Sequence, residues 1–228
     1  MAEDMQALIQ AMTSYMTTCM SGHDPSHNPA HVQRVVRLAH AVLEGELSRH
    51  PSSAAHYDHD IITLAATLHD IGDHKYLPPA ATTPESQIDP KQMVFNVLRA
   101  NGADASLAER VQTIVSNVSY SNEIKNPAAV RALIADARYR ELAVVQDADR
   151  LDAIGAVGIA RTFTYLGSRK KDAGQRWELD DSIEHFDEKL EKLEGIMKTD
   201  TGREMARERT RRLREFKAWW FEETGGHV

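Results

Sequence analysis

Residues 58–72 read DHDIITLAATLHDIG. Ile61, Ile62, Leu64, Ala65 and Leu68 recur at spacings of three and four, the repeat that stacks apolar side chains on one helical face. The stretch then runs into His69-Asp70-Ile71-Gly72, and glycine readily takes the left-handed conformation that follows a helix. The spacing predicts a helix over about 58–71 whose last turn carries a histidine and an aspartate side by side. Neighbouring residues point about 100° apart around a helix, so both reach one partner only where the last turn opens. Gly72 supplies that opening.

The same period extends in both directions. Met5, Leu8, Ile9, Met12, Tyr15, Met16 and Cys19 share one face of a first helix stopped at Gly22, and Val32, Val35, Val36, Ala39, Val42 and Leu43 do so over about 29–48. Downstream, helices are expected at about 91–101, from Ser106 with the capping-box order Ser-Leu-Ala-Glu109, and from Asn126-Pro127. Leu142 to Val145 suits a buried strand or a helix by period alone, and is read as helix because it flows into Asp147-Ala-Asp-Arg-Leu-Asp152. Two further helices, about 180–198 and 202–223, the latter opened by Thr201-Gly-Arg-Glu204, are expected to pack back onto the core. Residues 73–90, with four prolines, read as a long lid-like loop, and Gly167 to Arg176 as a second, basic loop. No alternating strand pattern and no internal repeat occur, so the expectation is an all-α chain forming one compact domain over 1–228.

Composition narrows the function. The 228 residues are 42% hydrophobic and 27% charged, the proportions of a folded, water-exposed protein. Lys and Arg number 27 against 34 Asp and Glu, a net charge of −7, which argues against a nucleic acid polymer as partner. One cysteine, Cys19, and the absence of a basic-then-apolar leader point to the cytoplasm, and charged residues interrupt every apolar run, which argues against a membrane span. Oligomeric state is not readable.

Eleven histidines are scattered along the chain. His31 on the second helix, His69 and Asp70 closing the third, and Asp149 in the acidic turn stand on separate helices that can converge on one ion. Mixed nitrogen and oxygen donors leave positions for water at an octahedral site, and a divalent ion lowers the pKa of water bound there toward neutrality.

His31-Val-Gln-Arg-Val35, Leu64-Ala-Ala-Thr-Leu-His-Asp-Ile-Gly72 and Asp147-Ala-Asp-Arg-Leu-Asp152 resemble the three signatures of the HD-domain phosphohydrolase superfamily. Asp73-His74-Lys75, the run Gln146 to Arg161, and His185-Phe-Asp-Glu-Lys-Leu190 with Thr201-Gly-Arg extend the likeness to its small, single-domain, nucleotide-acting branch. The resemblance implies a multi-helix HD bundle holding one divalent ion, Mn²⁺ or Mg²⁺ or another transition metal, on His31, His69, Asp70 and Asp149, with Asp147 the alternative fourth ligand. His23 and His27 compete with His31 for the first position, and PSHNPA between His23-Asp24 and His31 departs from the branch's shorter spacing. Relatives that hold two metals place extra histidines between the HD pair and the last aspartate; here none falls between His74 and His185, which implies one ion and hydrolysis. Asp73 stands where nucleotide-hydrolysing relatives place a water-orienting carboxylate, the candidate general base. Lys75 and Arg150 are the candidate phosphate-binding cations, ahead of His74, the basic loop at Arg169 to Lys171, Lys189 and Arg203. The implied activity is release of pyrophosphate from a nucleoside triphosphate. Removal of phosphate from a nucleoside monophosphate and non-catalytic nucleotide sensing are the alternatives.

Overall fold

A computed structural model describes residues 2–52, 57–72, 89–168 and 178–226. Within them the chain forms α1 (Ala2–Met20), α2 (Pro29–Arg49), α3 (His59–Leu68), α4 (Met93–Ala100), α5 (Ala105–Val115), α6 (Tyr120–Lys125), α7 (Pro127–Ala135), α8 (Glu141–Asp152), α9 (Gly155–Ser168), α10 (Leu179–Glu188) and α11 (Asp200–Thr224). No strand occurs among the described residues. The fold is all-α, as the apolar spacing predicts. No described helix is long and apolar enough to cross a membrane.

Local chemistry starts these helices. The Asn28 side chain accepts from the backbone N–H groups of Ala30 and His31 while Pro29 occupies the first turn of α2, where its missing N–H costs nothing. Asp58 caps α3 in the same way through Asp60 and Ile61. Several boundaries differ from the sequence reading. The cap of α5 is Asp104, not Ser106, and that of α11 is Thr199, whose hydroxyl accepts from the Gly202 N–H, two residues ahead of Thr201. Asn126 precedes Pro127 without capping through its side chain. The expected helix over 180–198 breaks at Lys189, and Leu190–Ile196 winds as a tighter 3₁₀ segment. Cys19 is exposed, and Met20 joins Leu8, Met12 and Met16 in the core.

α8 is the pillar of the molecule. It packs against α2, α3 and α11, and every one of its residues except Asp149 is buried. A helix covered all round has no solvent face, which is why the period of Leu142–Val145 does not distinguish helix from strand. Its polar side chains reach partners off the helix. Glu141 accepts from Arg110 at 2.8 Å and from the Asp58 N–H at 3.0 Å, and Gln146 donates to the Asn117 carbonyl at 2.7 Å. Gly155, at φ +74°, turns the chain sharply beyond α8, so that α9 brings Arg161 back to the Asp152 carboxylate. α11 lies along α9, α8 and α2, and its Phe216 and Trp220 form an aromatic cluster with Phe163 of α9 and Phe186 of α10. Trp219, by contrast, is exposed.

Candidate metal centre

His31 enters the core from the first turn of α2, and its Nδ1 lies 2.8 Å from Asp152 Oδ2. An ionised carboxylate only accepts, so the imidazole proton sits on Nδ1 and the Nε2 lone pair points away from it. His69 follows the last residue of α3, and its Nδ1 donates to the Ala66 carbonyl at 2.8 Å. Its Nε2 is therefore the nitrogen left to take a metal or a proton. The two Nε2 atoms face each other at 3.2 Å. Asp70 Oδ2 lies 3.3 Å from each of them, and Asp149 Oδ1 lies 3.7 Å from each. The turn that aims Asp70 beside His69 closes on Gly72, whose φ of +85° is the left-handed conformation expected from the sequence.

Four such donor atoms repel unless a metal ion or a proton joins them. Asp70 Oδ2 is buried and has no hydrogen-bond partner, which marks it as a ligand atom awaiting one. Donors about 2.1 Å from an octahedral ion sit about 3 Å apart at right angles, close to the spacings seen here. The donor atoms of His31, His69 and Asp70 all lie within 4.8 Å of one another, a mixed nitrogen and oxygen set that fits a divalent metal; Asp149 stands outside that group, its Oδ1 3.7 Å from each imidazole. Without a metal, a proton takes its place. Burial pulls the His69 pKa down, but the Asp70 carboxylate and then Asp149 outweigh it and push it up to about 9. Burial also disfavours the Asp70 anion, yet His69 and His31 hold its pKa well below the usual carboxylate range.

A polar cleft of about 130 Å³ opens over these atoms. Its walls carry His27, Ser119, Tyr120, Arg161 and Lys189, the last with Nζ 5.1 Å from the centre of the Tyr120 ring. His27 stands edge-on to His31, and burial is the main reason its pKa falls to about 4. Asp24 accepts from the Ser26 N–H at 2.8 Å, and Asn28 caps α2. The extra residues before His31 are thus taken up in a turn that leaves His31 in place.

Three residues of the sequence reading lie elsewhere. Asp147, the alternative fourth ligand, accepts from the backbone N–H groups of Lys198 and Thr199 and from the Thr199 hydroxyl, and so ties α8 to the start of α11. Two positions along a helix separate it from Asp149 by about 200°, which puts the two on opposite sides. Arg150 is 2% exposed, pairs with Glu123 and donates to the Ile196 carbonyl at 3.2 Å, so it is a buried strut and not a cleft cation. Arg203 pairs with Asp200 at the start of α11. Asp73, His74, Lys75 and Arg169 to Lys171 lie outside the described residues.

Asp152, Arg34 and Arg161 were not singled out as site residues from the sequence. Arg34 donates Nε to Asp152 Oδ1 at 2.7 Å and a terminal nitrogen to Oδ2 at 3.0 Å, and Arg161 donates to Oδ2 at 3.0 Å. Burial opposes ionisation of Asp152, but His31, Arg34 and Arg161 keep its pKa far below the ordinary range. The available signal was spacing: Arg34 is one helical turn from His31, and Asp152 one turn from Asp149.

Residues 30–154 match the HD domain family. The chain belongs to the HD-domain family. YpgQ of Bacillus subtilis (strain 168) is 36% identical over 159 residues, 68% of each chain. The crystal structure of YpgQ in complex with ADP matches with a TM-score of 0.67 at 30% identity over 96% of each chain. An HD-superfamily hydrolase from Bacillus thuringiensis matches at 0.66 and 27% identity, over 98% of this chain and all of that one. HD domains bind divalent metals, and the superfamily is one of metal-dependent hydrolases, in keeping with the donor set around His31 and Asp70.

Proposed function

We propose that this HD domain, one unit with its C-terminal helices, is a cytoplasmic metal-dependent phosphohydrolase. One divalent ion, Mn²⁺ or Mg²⁺, would be held by His31, His69, Asp70 and Asp149, with a nucleoside triphosphate as substrate and pyrophosphate as product. The observation that carries the reading is the convergence of two imidazole nitrogens and two carboxylate oxygens, one of them an orphaned buried oxygen, beneath an open polar cleft. When bound, such an ion supplies a water activated near neutral pH and polarises a phosphoryl oxygen. Tyr120 and the Ser119 and Ser121 side chains offer polar contacts along the cleft, while Arg161 and Lys189 are its cations and would draw in and orient the polyphosphate. They take the part that the sequence reading gave to Arg150. Asp73 keeps the role of proton acceptor from the attacking water, and Lys75 that of a further phosphate contact. The ADP complex of YpgQ supports a nucleotide as the ligand.

The test is a panel of nucleoside mono-, di- and triphosphates incubated with the purified chain and Mn²⁺ or Mg²⁺, with phosphate and pyrophosphate measured separately. Pyrophosphate from triphosphates, abolished in Asp70→Ala, is expected. Phosphate from monophosphates alone would make the protein a nucleotidase. Tight nucleotide binding without turnover would make it a sensing module, and equal, negligible metal content in wild type and Asp70→Ala would overturn the metal assignment.

A further inference from the structure

We propose that Asp152 is the positioning residue of the metal centre, fixing the tautomer and aim of His31. The inference rests on the metal reading above and extends it to a residue that touches neither ion nor substrate. The two imidazoles of the centre are anchored differently. His69 donates its Nδ1 proton to a neutral backbone carbonyl, that of Ala66, whereas His31 donates to a buried, ionised carboxylate. Asp152 is 1% exposed and accepts at both oxygens: Oδ1 from Arg34, and Oδ2 from His31, Arg34 and Arg161. One carboxylate thus joins α2, α8 and α9.

Two consequences follow from chemistry. A carboxylate on the far nitrogen holds the ring so that only Nε2 is presented to the ion, and it raises the donor strength of that nitrogen. The arginines hold the carboxylate in turn. Arg34 grips it with a two-point fork, the geometry guanidinium and carboxylate share, and Arg161 reaches it from α9 while its Nε donates to the Ser26 carbonyl at 2.8 Å. Arg161 also lines the cleft, so the same carboxylate that aims a metal ligand sets the place of a cation beside the substrate. The outer contacts of a ligating histidine normally govern affinity for the ion, not the fold alone.

The experiment measures Mn²⁺ affinity by electron paramagnetic resonance of the free ion for wild type, Asp152→Asn and the double variant Arg34→Gln/Asp152→Asn. The double variant removes one of the arginine charges that Asp152 balances and guards against simple unfolding. Thermal melts of the metal-free chains run alongside, with long-range ¹H–¹⁵N spectra of the His31 ring. Asp152→Asn is expected to bind Mn²⁺ about 10- to 100-fold more weakly while folded. Wild type is expected to show a pure Nδ1–H signature at His31, and Asp152→Asn to lose it. The double variant should regain thermal stability without regaining affinity. Wild-type Mn²⁺ affinity in either folded variant, or an unchanged His31 signature, overturns the proposal and leaves the metal reading intact. A wild-type chain that binds no Mn²⁺ overturns both.

Discussion

Asp147 and Asp149 stand two residues apart in one helix, and truncating each to alanine should separate support of the fold from binding of metal. The Asp147 carboxylate accepts from the Lys198 N–H at 2.9 Å, the Thr199 N–H at 2.8 Å and the Thr199 hydroxyl at 2.8 Å, and it is fully buried. Alanine there strands these donors, each at a cost of about 1–3 kcal/mol when buried. It also relieves the burden of a buried carboxylate, whose pKa burial raises. The net loss is about 3 kcal/mol, since Thr199 caps α11 and the start of that helix loosens with it. For a chain of this length each kcal/mol moves the melting midpoint by about 2–4 °C, so Asp147→Ala should melt about 6–12 °C lower. Its Mn²⁺ affinity below the melt should stay within a factor of about three. Asp149 is 28% exposed and stands 3.7 Å from both imidazoles, so Asp149→Ala should leave the metal-free midpoint within about 2 °C. Its Mn²⁺ affinity should fall by about 100-fold or more. Differential scanning fluorimetry with and without metal, and titration calorimetry, measure both. A metal-binding defect in Asp147→Ala with wild-type binding in Asp149→Ala would invert the assignment and refute the reasoning.

Arg150→Ala should lower stability by about 3 kcal/mol by leaving Glu123 with Lys198 as its remaining partner, yet keep the wild-type KM for nucleotide; Arg161→Ala should raise KM at least about tenfold. Steady-state kinetics beside thermal melts decide this, and an unchanged KM in Arg161→Ala counts against the cleft cation. In the metal-free chain His69 has its pKa raised to about 9 from 6.5. The folded state therefore binds more protons than the unfolded one between these values, and the stability His69 contributes is complete below about 6.5 and lost as pH rises through about 9. Urea midpoints across that window should fall with pH, and a rising trend would contradict the proton as stand-in for the metal. Calorimetry at pH 7.5 in buffers of different ionisation enthalpy should show proton release on Mn²⁺ binding. Chelation should lower the melting midpoint by about 5–10 °C relative to the chain in Mn²⁺ at 100 times its Kd, from about 2.7 kcal/mol of linkage. A midpoint indifferent to chelator in a chain shown to bind metal would refute it.

Much of the fold follows from residues close together in the chain. The spacing of Ile61, Ile62, Leu64, Ala65 and Leu68 settles α3, and Gly72 settles the turn that lets His69 and Asp70 aim together, because period and left-handed backbone are local properties. Boundaries were less legible. Ser106 and Thr201 have capping-box neighbours, but Asp104 and Thr199 do the capping, since an N-cap is decided by where the preceding chain arrives.

The amino-acid order alone determined an all-helical chain and narrowed the donor atoms to a few histidines and aspartates, since helix period and ligand chemistry are carried by residue type. Packing decided which way each side chain of α8 faces. With that helix packed along its whole length but for Asp149, nothing local separates Asp147, which binds the start of α11, from Asp149, which faces the imidazoles. Nor does anything local show that Arg150 turns inward to Glu123 while Arg161, eleven residues on, reaches the cleft. The partners that set those directions, Thr199, Glu123, His31 and Arg34, lie far off in sequence, and a charge is placed by whatever neutralises it in the folded chain.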